Sequence, residues 1–116
     1  MIKRNSDITP DIHQNMRGGK GEVKIAHLLK PEEFFGKGRV FAQIDIEPGC
    51  SLGNHQHVGE IEAYYILRGE GTYFDNEEPV LVKAGDVAIC DDMNWHGIEN
   101  TGSETLSFMA MVIFTK

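Results

Sequence analysis

From Glu22 to the end of the chain, apolar and polar residues tend to alternate one by one, the pattern of strands that bury a single face. "EVKIAHLL" sets Val23, Ile25 and His27 against Lys24 and Ala26, and "RVFAQIDI" puts Val40, Ala42, Ile44 and Ile46 on one side. "EAYYILRG" reads as a buried strand that stops at Gly69 and Gly71. "GTYFD" turns at Asp75-Asn76, "PVLVKAG" and "DVAIC" flank a turn at Gly85-Asp86, and "WHGIEN" runs into a turn at Asn100–Gly102. "TLSFMAMVIFT" closes the chain with Leu106, Phe108, Ala110, Val112 and Phe114 on one face. No long stretch carries a helical repeat. Short strands about ten residues apart, joined by glycine turns, predict an all-β sandwich or barrel.

The rest of the chain punctuates this pattern. Residues 1–21 are polar and glycine-rich and read as an arm with one or two short extended pieces. "KPEEFFGKG" reads as a loop, with Phe34 and Phe35 expected to tuck under a sheet. No second domain, repeat or low-complexity tract interrupts residues 1–116, so a single domain is expected.

Composition narrows the functions rather than the fold. The 116 residues are 41% hydrophobic and 25% charged, ordinary for a globular protein. Eighteen acidic against eleven basic residues give a net charge of −7, which repels phosphate backbones and argues against nucleic acid. No apolar run is long enough for a membrane helix, and the first residues lack an apolar signal core. A cytoplasmic location is expected, with Cys50 and Cys90 as reduced, small apolar residues.

The chemistry concentrates in "GNHQHVGEIEAYYILRG", Gly53 to Gly69. On a strand, His55 and His57 point to the same side. Glu62 begins the next strand, and an antiparallel pairing is expected to bring it back beside the histidines. His96 opens a later strand. Three imidazoles and one carboxylate suit Mn, Fe(II), Zn, Ni or Co, and four protein ligands leave a position open for a further ligand. Glu60 shares parity with Glu62; it reads as a solvated turn residue or as a group behind the ligands. Tyr64 and Ile66 follow on the same face, as pocket lining or as plain packing. His13 and His27 have no partners at ligand spacing and read as structural or exposed.

These residues resemble the cupin family. Gly49, His55, His57, Glu62 and Gly69 stand at the spacing of the first cupin motif, and Gly85, His96 and Asn100 at that of the second. Asp91 stands where the motif usually has proline and Met93 where it usually has glycine. The likeness extends to about residues 39–114. It implies a double-stranded β-helix, or jelly roll, with a divalent metal held by His55, His57, Glu62 and His96 in the barrel mouth. It also implies a homodimer whose N-terminal arm pairs onto the partner.

Two functions follow as expectations. The first is a metalloenzyme similar to cupin oxalate decarboxylases, oxidases or dioxygenases, acting on a small carboxylate or keto acid, with Glu60 or Tyr64 moving a proton. The second is a non-catalytic module that binds or senses a sugar or small acid. "RGGKG", Arg17 to Gly21, reads either as a flexible lid carrying two cations or as a solvated arm. Met93, Trp95, Met109 and Met111 read as core or dimer surface.

Overall fold

A computed structural model describes residues 1–116. Ten strands follow in order: β1 Asp11–Gln14, β2 Glu22–His27, β3 Gly38–Ile46, β4 Ser51–Gln56, β5 Glu60–Arg68, β6 Glu70–Asp75, β7 Glu78–Lys83, β8 Val87–Cys90, β9 Trp95–Glu99 and β10 Leu106–Phe114. Three short 3-10 turns are the only helical pieces. The strands form two antiparallel sheets, a six-stranded one ordered β1-β2-β3-β10-β5-β8 and a four-stranded one ordered β4-β9-β6-β7. None of the helices is long and apolar enough to cross a membrane.

The alternation read in the sequence defines the interior. Val23 and Ile25, Ala42, Ile44 and Ile46, Tyr64 and Ile66, and Leu106, Phe108 and Ala110 line the inner face of the larger sheet. Leu52, Tyr73, Val82 and Ile98 face them from the smaller one. Each Val, Leu, Ile or Phe among them contributes about 1.5–3 kcal/mol when fully buried. Phe114 shares their parity but lies at the end of β10, past a register shift at Val112/Ile113, and is exposed. The Phe34-Phe35 expectation fails in part: Phe34 is half-buried, and Phe35 points into solvent from a left-handed turn (φ 50°). The turn aims Phe35 outward, so hydrophobicity alone misplaces it.

Two motif residues act on the frame rather than on the chemistry. Gly69 has φ 83° and lies so close to the Thr105 carbonyl that a Cβ would collide with it. The buried Asn100 amide donates 2.7 Å hydrogen bonds to the carbonyls of Ile46 and Glu104, and its oxygen accepts from Gly102 N. It thereby joins the end of β3 to the turn before β10.

The arm is ordered against the barrel. β1 pairs with β2 of its own chain, Asp11 opposite Ile25 and His13 opposite Val23. The "RGGKG" segment leaves Arg17, Gly18 and Lys20 exposed to solvent, as an arm would, but its backbone is tied to β4. Lys20 N donates to Ser51 Oγ at 2.9 Å, and Ser51 N to Lys20 O at 2.8 Å. Gly53 lets the Arg17 carbonyl approach β4 where any side chain would clash.

Candidate metal centre

The two sheets bring the four expected residues together by a route the sequence did not reveal. β4 does not pair with β5; it pairs with β9, His55 opposite His96. β5 lies in the other sheet, between β10 and β8. Glu62 therefore meets the histidines across the barrel interior, not along a shared ladder. His55, His57, Glu62 and His96 are all buried, and one potential ligand atom from each falls within 4.8 Å of the others. Glu62 Oε1 lies 2.9 Å from Nε2 of both His57 and His96 and 3.7 Å from Nε2 of His55.

The opposite ring nitrogens are all anchored outside the cluster. His55 Nδ1 lies 2.8 Å from the Gly53 carbonyl, His57 Nδ1 2.5 Å from Glu60 Oε2, and His96 Nδ1 2.9 Å from the Tyr73 hydroxyl. When each Nδ1–H donates outward, all three Nε2 lone pairs face inward toward a carboxylate oxygen. His57 Nε2 and His96 Nε2 are then acceptors only 3.0 Å apart. Such a set repels itself unless a cation lies within it. The donor chemistry and orientation thus fit a divalent transition metal.

Glu60 is not the solvated turn residue its position suggested. It is buried on β5, and its two oxygens take the Nε and Nη2 hydrogens of Arg39 at 2.8 and 2.6 Å as well as His57 Nδ1–H. The Arg39 guanidinium holds the Glu60 carboxyl below its ordinary pKa, and Glu60 in turn raises that of Arg39. Burial alone would raise the Glu62 pKa, but when the surrounding imidazoles carry protons on Nε2, their contact with the carboxylate drives it far down, so it stays ionised. Burial pushes the His57 pKa down, yet contact with Glu62 and Glu60 leaves it raised overall. For His96 burial wins and the pKa falls.

Tyr64 is completely buried, with its ring stacked on His96 at 5.0 Å between centroids. Its hydroxyl has no hydrogen-bond partner. Burial and the negative charge of Glu62 raise its pKa well above the ordinary value, so it keeps its proton. Ile66 is core packing. Burial pushes the Cys90 thiol up to about 11, which leaves it inert, while Cys50 is half-buried at the core edge.

A cavity of about 210 Å3 opens onto His55, His57 and Glu62. Ile25, Ile44, Leu52 and Val112 give it apolar walls, while Arg17, Arg39, Asp11, His13 and His27 supply its polar lining. His13 and His27 thus face the cavity; the strands that carry them run along the same inner face as Val23 and Ile25. Sequence spacing could not reveal Arg39 or Tyr73, because only the folded strand order brings them to the site. The loop holding the two departures, which precedes His96, clasps His57 of the first motif. Met93 adopts φ 74°, a conformation natural to the usual glycine, and its N–H donates to the His57 carbonyl at 2.6 Å.

A two-sheet β-sandwich with three histidines and a glutamate converging inside it defines a cupin, and residues 42–114 match the cupin domain family; the chain belongs to it. Among particular proteins, it is 52% identical to an oxalate-binding protein of Thermotoga maritima over 113 residues, 97% of this chain and 93% of that one. A crystal structure described as a predicted oxalate decarboxylase from Thermotoga maritima matches with a TM-score of 0.94 and 52% identity, over 98% of this chain and 99% of that one. A polyketide cyclase of Streptomyces resistomycificus, 20% identical, shares the fold with a TM-score of 0.75 over 100% of this chain and 81% of its own.

Proposed function

We propose that this chain binds one divalent transition metal, Mn, Fe or Zn in the first instance and Ni or Co as further possibilities, through His55, His57, Glu62 and His96. A small carboxylate of the oxalate or keto-acid class would chelate that metal from the cavity. The observation that carries this reading is the inward convergence of three anchored imidazoles and one carboxylate on a small, apolar-walled cavity edged by Arg17 and Arg39. The relative named an oxalate-binding protein supports the ligand class.

When bound, the metal would polarise a chelated carboxylate, and Mn or Fe would in addition supply redox chemistry that Zn cannot. The residues of the chain would do the rest. Glu60 would fix the ring of His57, Tyr73 that of His96, and Tyr64 would wall the site beneath His96. Arg17, which has no ion-pair partner, would face a second carboxylate of the ligand. Glu60 and Tyr64 are the side chains nearest to a proton-handling role, but Glu60 is already held by Arg39 and His57, and Tyr64 keeps its proton. This favours binding as the primary activity. The enzymatic reading, decarboxylation or oxidation of the same small acid, draws on the likeness to the structure described as a predicted oxalate decarboxylase.

The test is elemental analysis of the purified chain, then calorimetric titration of the metal-loaded protein with oxalate, glycolate and acetate. CO2 release and O2 uptake are followed in parallel. Metal-dependent oxalate binding lost in His55→Ala, with acetate weak, is the expected result. Binding that persists without metal would overturn the assignment.

A further inference from the structure

The cavity changes character away from the four converging side chains. In the register of β5, β10 and β3, Val112 lies directly beside Glu62, and Val40 beside Val112. The row that starts at the ligand carboxylate thus continues as hydrocarbon. Ile25 and Ile44 pair in the same way on β2 and β3, and Leu52 meets them from β4. All five line the cavity. Val40 is half-buried and the other four are at most 5% exposed. Arg39 is committed to Glu60. The remaining polar lining, Arg17, Asp11, His13 and His27, is not buried, so it edges the cavity rather than flooring it.

An apolar band next to a chelating centre is a poor place for water and for charge. A buried water needs about two to four polar partners, and these five side chains offer none. Oxalate that chelates through one oxygen of each carboxylate turns its other two oxygens away from the ion. Against Val112, Ile25 and Ile44 those charged oxygens would lose hydration without gaining a partner. Size points the same way. An apolar cavity of about 150 Å3 holds a benzene-sized guest, and oxalate has no more non-hydrogen atoms than benzene. This cavity of about 210 Å3 has room for about two further water-sized groups.

We propose that the preferred ligand is a 2-oxo acid with a short aliphatic substituent. Its carboxylate and oxo group would chelate the metal, and its alkyl chain would lie along Val112, Val40, Ile25, Ile44 and Leu52. The proposal rests on the metal site and ligand class given above and adds the part of the ligand that the metal does not hold.

The test is calorimetric titration of the manganese-loaded chain with pyruvate, 2-oxobutanoate, 2-oxopentanoate and 4-methyl-2-oxopentanoate, with oxalate as reference. From pyruvate to 2-oxopentanoate, Kd should fall by about fourfold per added methylene. The heat-capacity change of binding should grow more negative at each step, the mark of buried apolar surface. Val40→Phe, at a half-buried position that can take a larger side chain, should abolish the gain by filling the band. Should that variant fold poorly, the ligand series on the unaltered chain decides alone. Affinity that is flat or falls along the series, while oxalate still binds only with metal, would overturn this inference and leave the proposed function standing. If no acid of the panel, oxalate included, binds in a metal-dependent way, the proposed function fails and this inference with it.

Discussion

Glu60 holds His57 from behind through a 2.5 Å hydrogen bond to Nδ1, while Glu62 meets the same ring at Nε2. One imidazole is thus fixed between two carboxylates that sit two residues apart on β5. Glu60→Gln should therefore weaken metal affinity about 10–100-fold with little change in fold. Competition with a chelator of known affinity measures this, and an unchanged affinity would remove Glu60 from the site.

Acidity should act differently with and without metal. In the metal-free chain, the raised His57 pKa contributes stability that is fully present below about 6.5 and lost as pH rises through the folded value. The lowered His96 pKa has the opposite sign, so stability from that group falls as pH drops below the same point. The two oppose each other. A bound metal needs neutral imidazoles, so its contribution should grow as pH rises through about 6. Thermal melts with and without metal should separate progressively from acidic to neutral pH. A constant separation would exclude histidine ligation.

The Tyr64 hydroxyl is buried without a partner, which costs about 1–3 kcal/mol. Tyr64→Phe should leave the metal-free chain as stable as before or more so. If the hydroxyl donates to a chelated ligand instead, the same change should weaken oxalate binding. Melting and calorimetry on one variant separate the two outcomes.

Gly53→Ala should push the Arg17 turn off β4, because the new methyl group meets the Arg17 carbonyl. Oxalate affinity should fall several-fold while metal affinity holds. Equal loss of both would mean that the change distorts β4 itself.

The four ligand candidates were legible because motif spacing puts them at fixed points of a familiar pattern, and the core was legible because alternation of two marks each buried face. What the sequence concealed is long-range pairing. The expectation that Glu62 returns beside the histidines on a neighbouring strand gives the right cluster for the wrong reason, since β4 and β5 belong to different sheets. Glu60 looked like a turn residue because its partner Arg39 is 21 positions away. Phe35 looked buried because composition says nothing of a left-handed turn.

His55 and His96 stand on one wall of the sandwich and Glu62 on the opposite wall. An ion gripped by all three would rivet the walls together. Loading should then be felt far beyond the cavity, as slower amide exchange in strands that never touch the ligand, and stripping it should loosen both layers at once.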